Sequence, residues 1–157
     1  MDDSLLIGLA CSRTDRLCSR PLYPTQHTAD PQRPALAETL KKMDINMTVE
    51  RINYPELGLP VGPYTHAVIN GTSLYTSGFT AFGTEAQQAT ISEQALAILD
   101  QLSFIAKAQG SSMESLVKVT AFVTDFTDIA SLRDTLSTYY GAHVPASSLI
   151  KIEALFA

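Results

Sequence analysis

Cysteine is scarce in this chain. There are two, Cys11 and Cys18, and none follows them. A disulfide-stapled scaffold is therefore excluded for everything downstream, which suits a reducing, cytoplasmic setting. With His27 as the one nearby histidine, the pair also falls short of a four-ligand zinc site, and it reads as incidental. Charge is thin as well, at 17% of residues. Residues 47–157 hold five basic side chains (Arg51, Lys107, Lys118, Arg133, Lys151) against ten acidic ones, while residues 1–46 hold six of each. The formal net charge of −5 thus resides in the second part. Without a basic stripe, neither nucleic acid nor an anionic membrane is an expected partner. No apolar run reaches the roughly 18 residues of a membrane span. The glycines are scattered singly at turns and caps, and none builds a phosphate-cradling loop.

What is present fits one globular domain: 157 residues, 45% of them hydrophobic. The first 46 residues differ from the rest. Pro21, Pro24, Pro31 and Pro34 interrupt any long helix, and no period of 2 or 3.6 is sustained. Leu5 to Cys11 is apolar but follows Asp2 and Asp3 rather than the basic residues of a secretory signal. Leu36 to Met43 is a short amphipathic piece. Residues 1–46 are read as a disordered leader or non-native extension, and 47–157, starting at Met47, as the domain proper.

Regular patterning begins at Tyr64. Tyr64–Ile69 and Thr72–Ser77 are strand-like runs around Asn70-Gly71, a hairpin signal because both turn residues must accept positive φ. Thr90 and Glu93 have capping-box spacing at the start of a helix. Ile91, Ala95, Ile98, Leu99, Leu102, Ile105 and Ala106 then share one face, and Gly110 closes it. Leu116–Thr124 alternates as a strand with Val117, Val119, Ala121 and Val123 on one side. Asp128–Tyr140 is a second helix with Ile129, Leu132 and Leu136 inward, and Ser148–Leu155 is a strand. The order β-β-α-β-α-β predicts an α+β sheet with two helices on one face. Its other face is left for self-association.

Four segments carry a family resemblance. They are Val61-Gly62-Pro63-Tyr64-Thr65-His66-Ala67, Leu74-Tyr75-Thr76-Ser77-Gly78, Val117 to Asp125, and Val144-Pro145-Ala146-Ser147-Ser148. In this order and spacing, residues 54–157 resemble the YjgF/RidA family. The resemblance implies a chorismate-mutase-like fold and a homotrimer with clefts between subunits. It implies no metal and no organic cofactor. In the family's imine deaminases an arginine clamps the carboxylate of a 2-imino acid, water attacks the imine carbon and ammonia leaves. A guanidinium suits this because its fork pairs bidentately with a carboxylate.

Carried over by motif, the ligand-binding candidates are Tyr64, Gly78, Ser147 and Leu149. Ser147 stands where the family has its arginine, so ordinary 2-imino acid deamination is not expected. Arg133 on the second helix is a candidate replacement cation, set against pairing with Asp128 or Asp134. Of the histidines, His143 is nearer the expected cleft than His66. Neither has a triad partner, so nucleophilic catalysis has no support. The family continues with one more strand bearing a glutamate, which is missing after Ala157, and Glu153 is a weak substitute. That strand would have about eight residues, some four of them inward. The expected ligand is a small imino, enamino or keto acid. The alternative to an enzyme is a non-catalytic ligand-binding or regulatory trimer.

Overall fold

In the computed structural model, residues 5–12 and 48–155 are described. The first elements are β1 (Leu5–Ser12), β2 (Val49–Ile52), β3 (Ala67–Asn70), β4 (Ser73–Thr76) and the short β5 (Phe79–Thr80). Helix α1 (Ile91–Ala108), strand β6 (Leu116–Val123), helix α2 (Ile129–Tyr140) and strand β7 (Ala146–Lys151) follow. One mixed sheet runs β2-β3-β4-β1-β6-β7, with β5 also paired to β1. Among the described residues only the β6–β7 pair is parallel. The architecture is α+β, as expected.

Local signals act where the sequence puts them. Gly71 takes a φ of 59° between β3 and β4, the left-handed geometry of an Asn-Gly turn. Thr90 and Glu93 form a reciprocal capping box at the start of α1. Ile98, Leu99, Leu102 and Ile105 on α1 are fully buried, and Leu132 of α2 joins the same core.

The largest departure concerns the segment read as a leader. Leu5–Ser12 is the central strand, antiparallel to β4 on one side and β6 on the other. Leu5, Ile7, Leu9 and Cys11 alternate into the core at 0–5% exposure. Leu6, Gly8 and Ala10 on its other face are half-buried and also apolar or small, so the strand reads as an unbroken apolar run, which periodicity alone cannot separate from a signal-like segment. β1 has the eight residues and four inward side chains that the expected extra strand would have had. Strand β6 is consequently paired on both edges. Cys18, His27, the proline cluster, the 36–43 segment and Met47 lie outside the described residues.

A second correction is Val117, expected inward and found 56% exposed. The β1–β6 register passes from Ala10↔Lys118 to Cys11↔Leu116, so Val117 is the extra residue of a bulge. Cys11 is a core residue whose thiol pKa is raised by burial, against a contact to Ser111 Oγ at 3.8 Å that lowers it.

Candidate functional site

A cavity of about 660 Å³ opens where the chain leading into β3 meets the β4–β5 junction, a size typical of small-molecule sites. Its apolar walls include Leu57 and Val61 before β3, Phe79 and Phe82 after β4, and Leu6 from β1. Leu6 lies directly over Gly78. A Cβ built on Gly78 would meet Leu6 Cδ2 at 2.5 Å, so a side chain at this position would have to push the leucine out of its place in the wall. Tyr64 lines the mouth at 47% exposure. Its ring lies against Gly62, where an added Cβ would come within 3.1 Å of it.

The polar lining is neutral. His66 is 4% exposed and stacks on Tyr54 with ring centroids 6.3 Å apart. The Tyr54 backbone N–H donates to His66 Nδ1 at 3.0 Å. Because an amide N–H cannot accept, Nδ1 keeps its lone pair and the ring proton of neutral His66 sits on Nε2. Burial holds the imidazole pKa below its ordinary value, which favours that neutral form. The Ser77 hydroxyl donates to the Thr65 carbonyl at 2.6 Å, and Thr80 Oγ1 accepts from the Phe82 N–H at 3.2 Å. The Gln101 amide group donates to the carbonyls of Thr80 and Ala97. None of the described residues lining the cavity carries a formal charge while His66 is neutral. Among the described residues no group of three or more His, Cys, Asp and Glu is placed to hold a metal ion, and no helix is long and apolar enough to cross a membrane.

The candidates named from sequence separate into two groups. Tyr64 and Gly78 line this cavity together. Ser147 and Leu149 lie on β7, opposite Val119 and Ala121 of β6. Three strand spacings, about 14 Å, separate β7 from β4 within one copy. Arg133 is exposed on α2 and forms no ion pair among the described residues, where Lys151–Asp125 at 3.9 Å does. Neither Asp128 nor Asp134 pairs with it. From β6, Lys118 reaches β7, where its Nζ donates to Ser148 Oγ at 2.7 Å. His143 and Glu153 are exposed and outside the cavity, and His66, ranked behind His143 from sequence, is inside it. Leu6 and Gln101 were not anticipated. Gln101 is a polar position on the long amphipathic helix, and Leu6 belongs to the segment that had been set aside.

The sequence model of the endoribonuclease L-PSP family matches residues 56–156. The chain belongs to the YjgF/RidA family. A RutC family protein of Pyrococcus abyssi is 27% identical over 99 residues, 61% of this chain and 78% of that protein. A protein of Dermatophagoides farinae named 2-iminobutanoate/2-iminopropanoate deaminase is 26% identical over 107 residues, 66% of this chain and 84% of that one. Among solved structures, the YjgF gene product of E. coli superposes with a TM-score of 0.60 at 28% identity, covering 68% of this chain and 87% of that one. RidA relatives named as imine deaminases support an imine-related function at the level of the family.

Proposed function

We propose that this RidA-family chain takes small imine- or enamine-type metabolites in the cleft between Tyr64 and Gly78, and that it is a poor deaminase of ordinary 2-imino acids. The observation that carries this is that two of the four motif-matched residues, Tyr64 and Gly78, line one cavity of ligand size with a neutral lining. In imine hydrolysis, water adds to the C=N carbon and ammonia leaves, so the site has to hold the imine and admit one water. Tyr64 offers its phenol at the mouth, where Leu59, Val61 and Phe82 are exposed and solvent water has access. With serine at position 147, two charge-assisted bonds of about 1.5–3 kcal/mol each are lost from carboxylate recognition. Together they amount to about 3–6 kcal/mol, or roughly a hundred- to ten-thousand-fold in efficiency if felt in the transition state.

Assembly into a homotrimer is part of this reading. A second copy is the route by which β7, with Ser147 and Leu149, could face the Tyr64 cleft. The side of the sheet away from the helices carries Tyr75 at 48% and Ile150 at 42% exposure, a surface suited to a partner. Light scattering should return three times the 17.0 kDa chain mass. Ligand binding without turnover is the second reading. It is favoured by Leu6 packing over Gly78, which puts an apolar side chain against a motif-matched cleft residue. Ammonia release from freshly generated 2-iminobutanoate tests the proposal. We expect weak release from the unmodified chain and an increase in the Ser147→Arg variant. Family-like rates without that arginine would overturn the altered preference.

A further inference from the structure

The hydrogen-bonding inventory of the cavity narrows what it can hold. Backbone bonding has already used part of each polar side chain. His66 retains one free group, Nε2–H, which has no protein partner among the described residues while the ring lines the cavity. Thr80 accepts from the Phe82 N–H, so its own hydroxyl proton remains available. Gln101 has both amide hydrogens committed to carbonyls and presents only Oε1, an acceptor. Ser77 has spent its proton on the Thr65 carbonyl and likewise presents a lone pair. The described lining of one copy therefore offers neutral donors and neutral acceptors and no cation, and Ser147 on the β7 of a second copy would add none.

We infer that the cavity selects an uncharged ligand that carries an acceptor and an N–H donor on an apolar body (an amide or lactam rather than a carboxylate), with His66 Nε2–H donating to the ligand's oxygen. This rests on the Tyr64–Gly78 cleft being the ligand site, and it names the substrate class of that site. A carboxylate placed against Leu6, Leu57 and Phe79 would give up part of its hydration without meeting a positive charge, which costs free energy. An amide loses much less, because the free groups of the lining match its carbonyl and its N–H. His66 is suited to the donor role because its other nitrogen is pinned by the Tyr54 amide. Its tautomer is set before the ligand arrives, and Tyr54 and Phe79 hold the ring plane.

The test uses the full chain and two probes of nearly equal shape, benzamide and benzoate. Long-range proton–nitrogen NMR on the imidazoles reports the tautomer, and titration reports binding. We expect His66 protonated on Nε2 above pH 7, an Nε2 resonance that moves with benzamide, and benzamide bound about tenfold or more tighter than benzoate. His66→Phe, which keeps an aromatic ring but no donor, should weaken benzamide about two- to tenfold. His66→Gln, which restores a neutral N–H and an acceptor for Tyr54, should recover much of it. A proton on Nδ1, binding of benzoate as tight as that of benzamide, or no binding of either would overturn the inference, and the unmodified chain decides these outcomes even if the variants fold poorly. Failure here is separable from failure of the proposed function. Tyr64-dependent turnover of a charged imino acid would sink the neutral-ligand inference together with the altered preference, and would leave the Tyr64–Gly78 cleft standing as the site of imine hydrolysis. Benzamide binding without hydrolysis of any imine would leave the inference standing and remove the catalytic reading.

Discussion

Removing the first 46 residues should unfold this domain. The sequence on its own suggests the opposite, because that stretch reads as a leader without a core. The structure puts Leu5, Ile7, Leu9 and Cys11 at 0%, 0%, 5% and 2% exposure, in the strand joining the β2-β3-β4 half of the sheet to β6-β7. Burial of a large aliphatic side chain contributes about 1.5–3 kcal/mol, so the two leucines and the isoleucine contribute on the order of 4.5–9 kcal/mol. Loss of the strand also strips its ladder partners from one edge each of β4 and β6. A typical domain has only about 5–15 kcal/mol in total. A chain beginning at Met47 should therefore show no cooperative urea transition and should aggregate, whereas residues 1–157 unfold sharply. Ile7→Ala in the full chain isolates one contact. It should cost about 2–5 kcal/mol and lower the melting temperature by roughly 4 °C per kcal/mol. Equal melting temperature and urea midpoint for the two chain lengths would refute the central placement of β1.

Gly78→Ala should destabilise by about 1–3 kcal/mol through overpacking against Leu6 and should weaken ligand binding. A Leu6→Ala/Gly78→Ala double variant should recover part of both, whereas additive losses would show that the two do not touch. Tyr140 has a buried hydroxyl with no partner among the described residues and a pKa pushed up to about 12 by burial. Tyr140→Phe should raise thermal stability, by up to about 1–3 kcal/mol, and a clear drop would point to a bond the hydroxyl does make. His66 has its pKa lowered in the folded state, so the unfolded chain takes up the proton first as pH falls. Its contribution is full above about pH 6.5, the ordinary histidine value, and declines below it. Melting curves between pH 8 and 5 should show this loss, and His66→Gln should flatten it. Thr90→Ala removes half of the capping box and should cost about 1 kcal/mol in a urea melt.

Much of the fold was legible because local and tertiary preferences agree. The Asn70-Gly71 turn, the Thr90–Glu93 box and the 3.6-residue stripe of α1 each point to one conformation. β1 was not legible, since its partners, β4 and β6, are more than 60 residues away and nothing local marks the pairing. Val117 was misplaced for a related reason: a bulge is a property of two strands, and alternation in one does not reveal it. In the site, Tyr64 and Gly78 could be found through motifs. His66 could not be ranked, because its tautomer and burial depend on the Tyr54 amide and the Phe79 ring. The cavity wall supplied by Leu6 was hidden with the strand that bears it.

Hydrolysis of 2-iminobutanoate and of its uncharged amide, each generated in place and followed by ammonia release, separates a cleft for neutral imines from one for imino acids. The unmodified chain should accelerate loss of the amide imine and leave the acid nearly at its spontaneous rate, with the difference abolished in His66→Phe. Faster hydrolysis of the acid than of the amide would contradict a cleft for neutral imines.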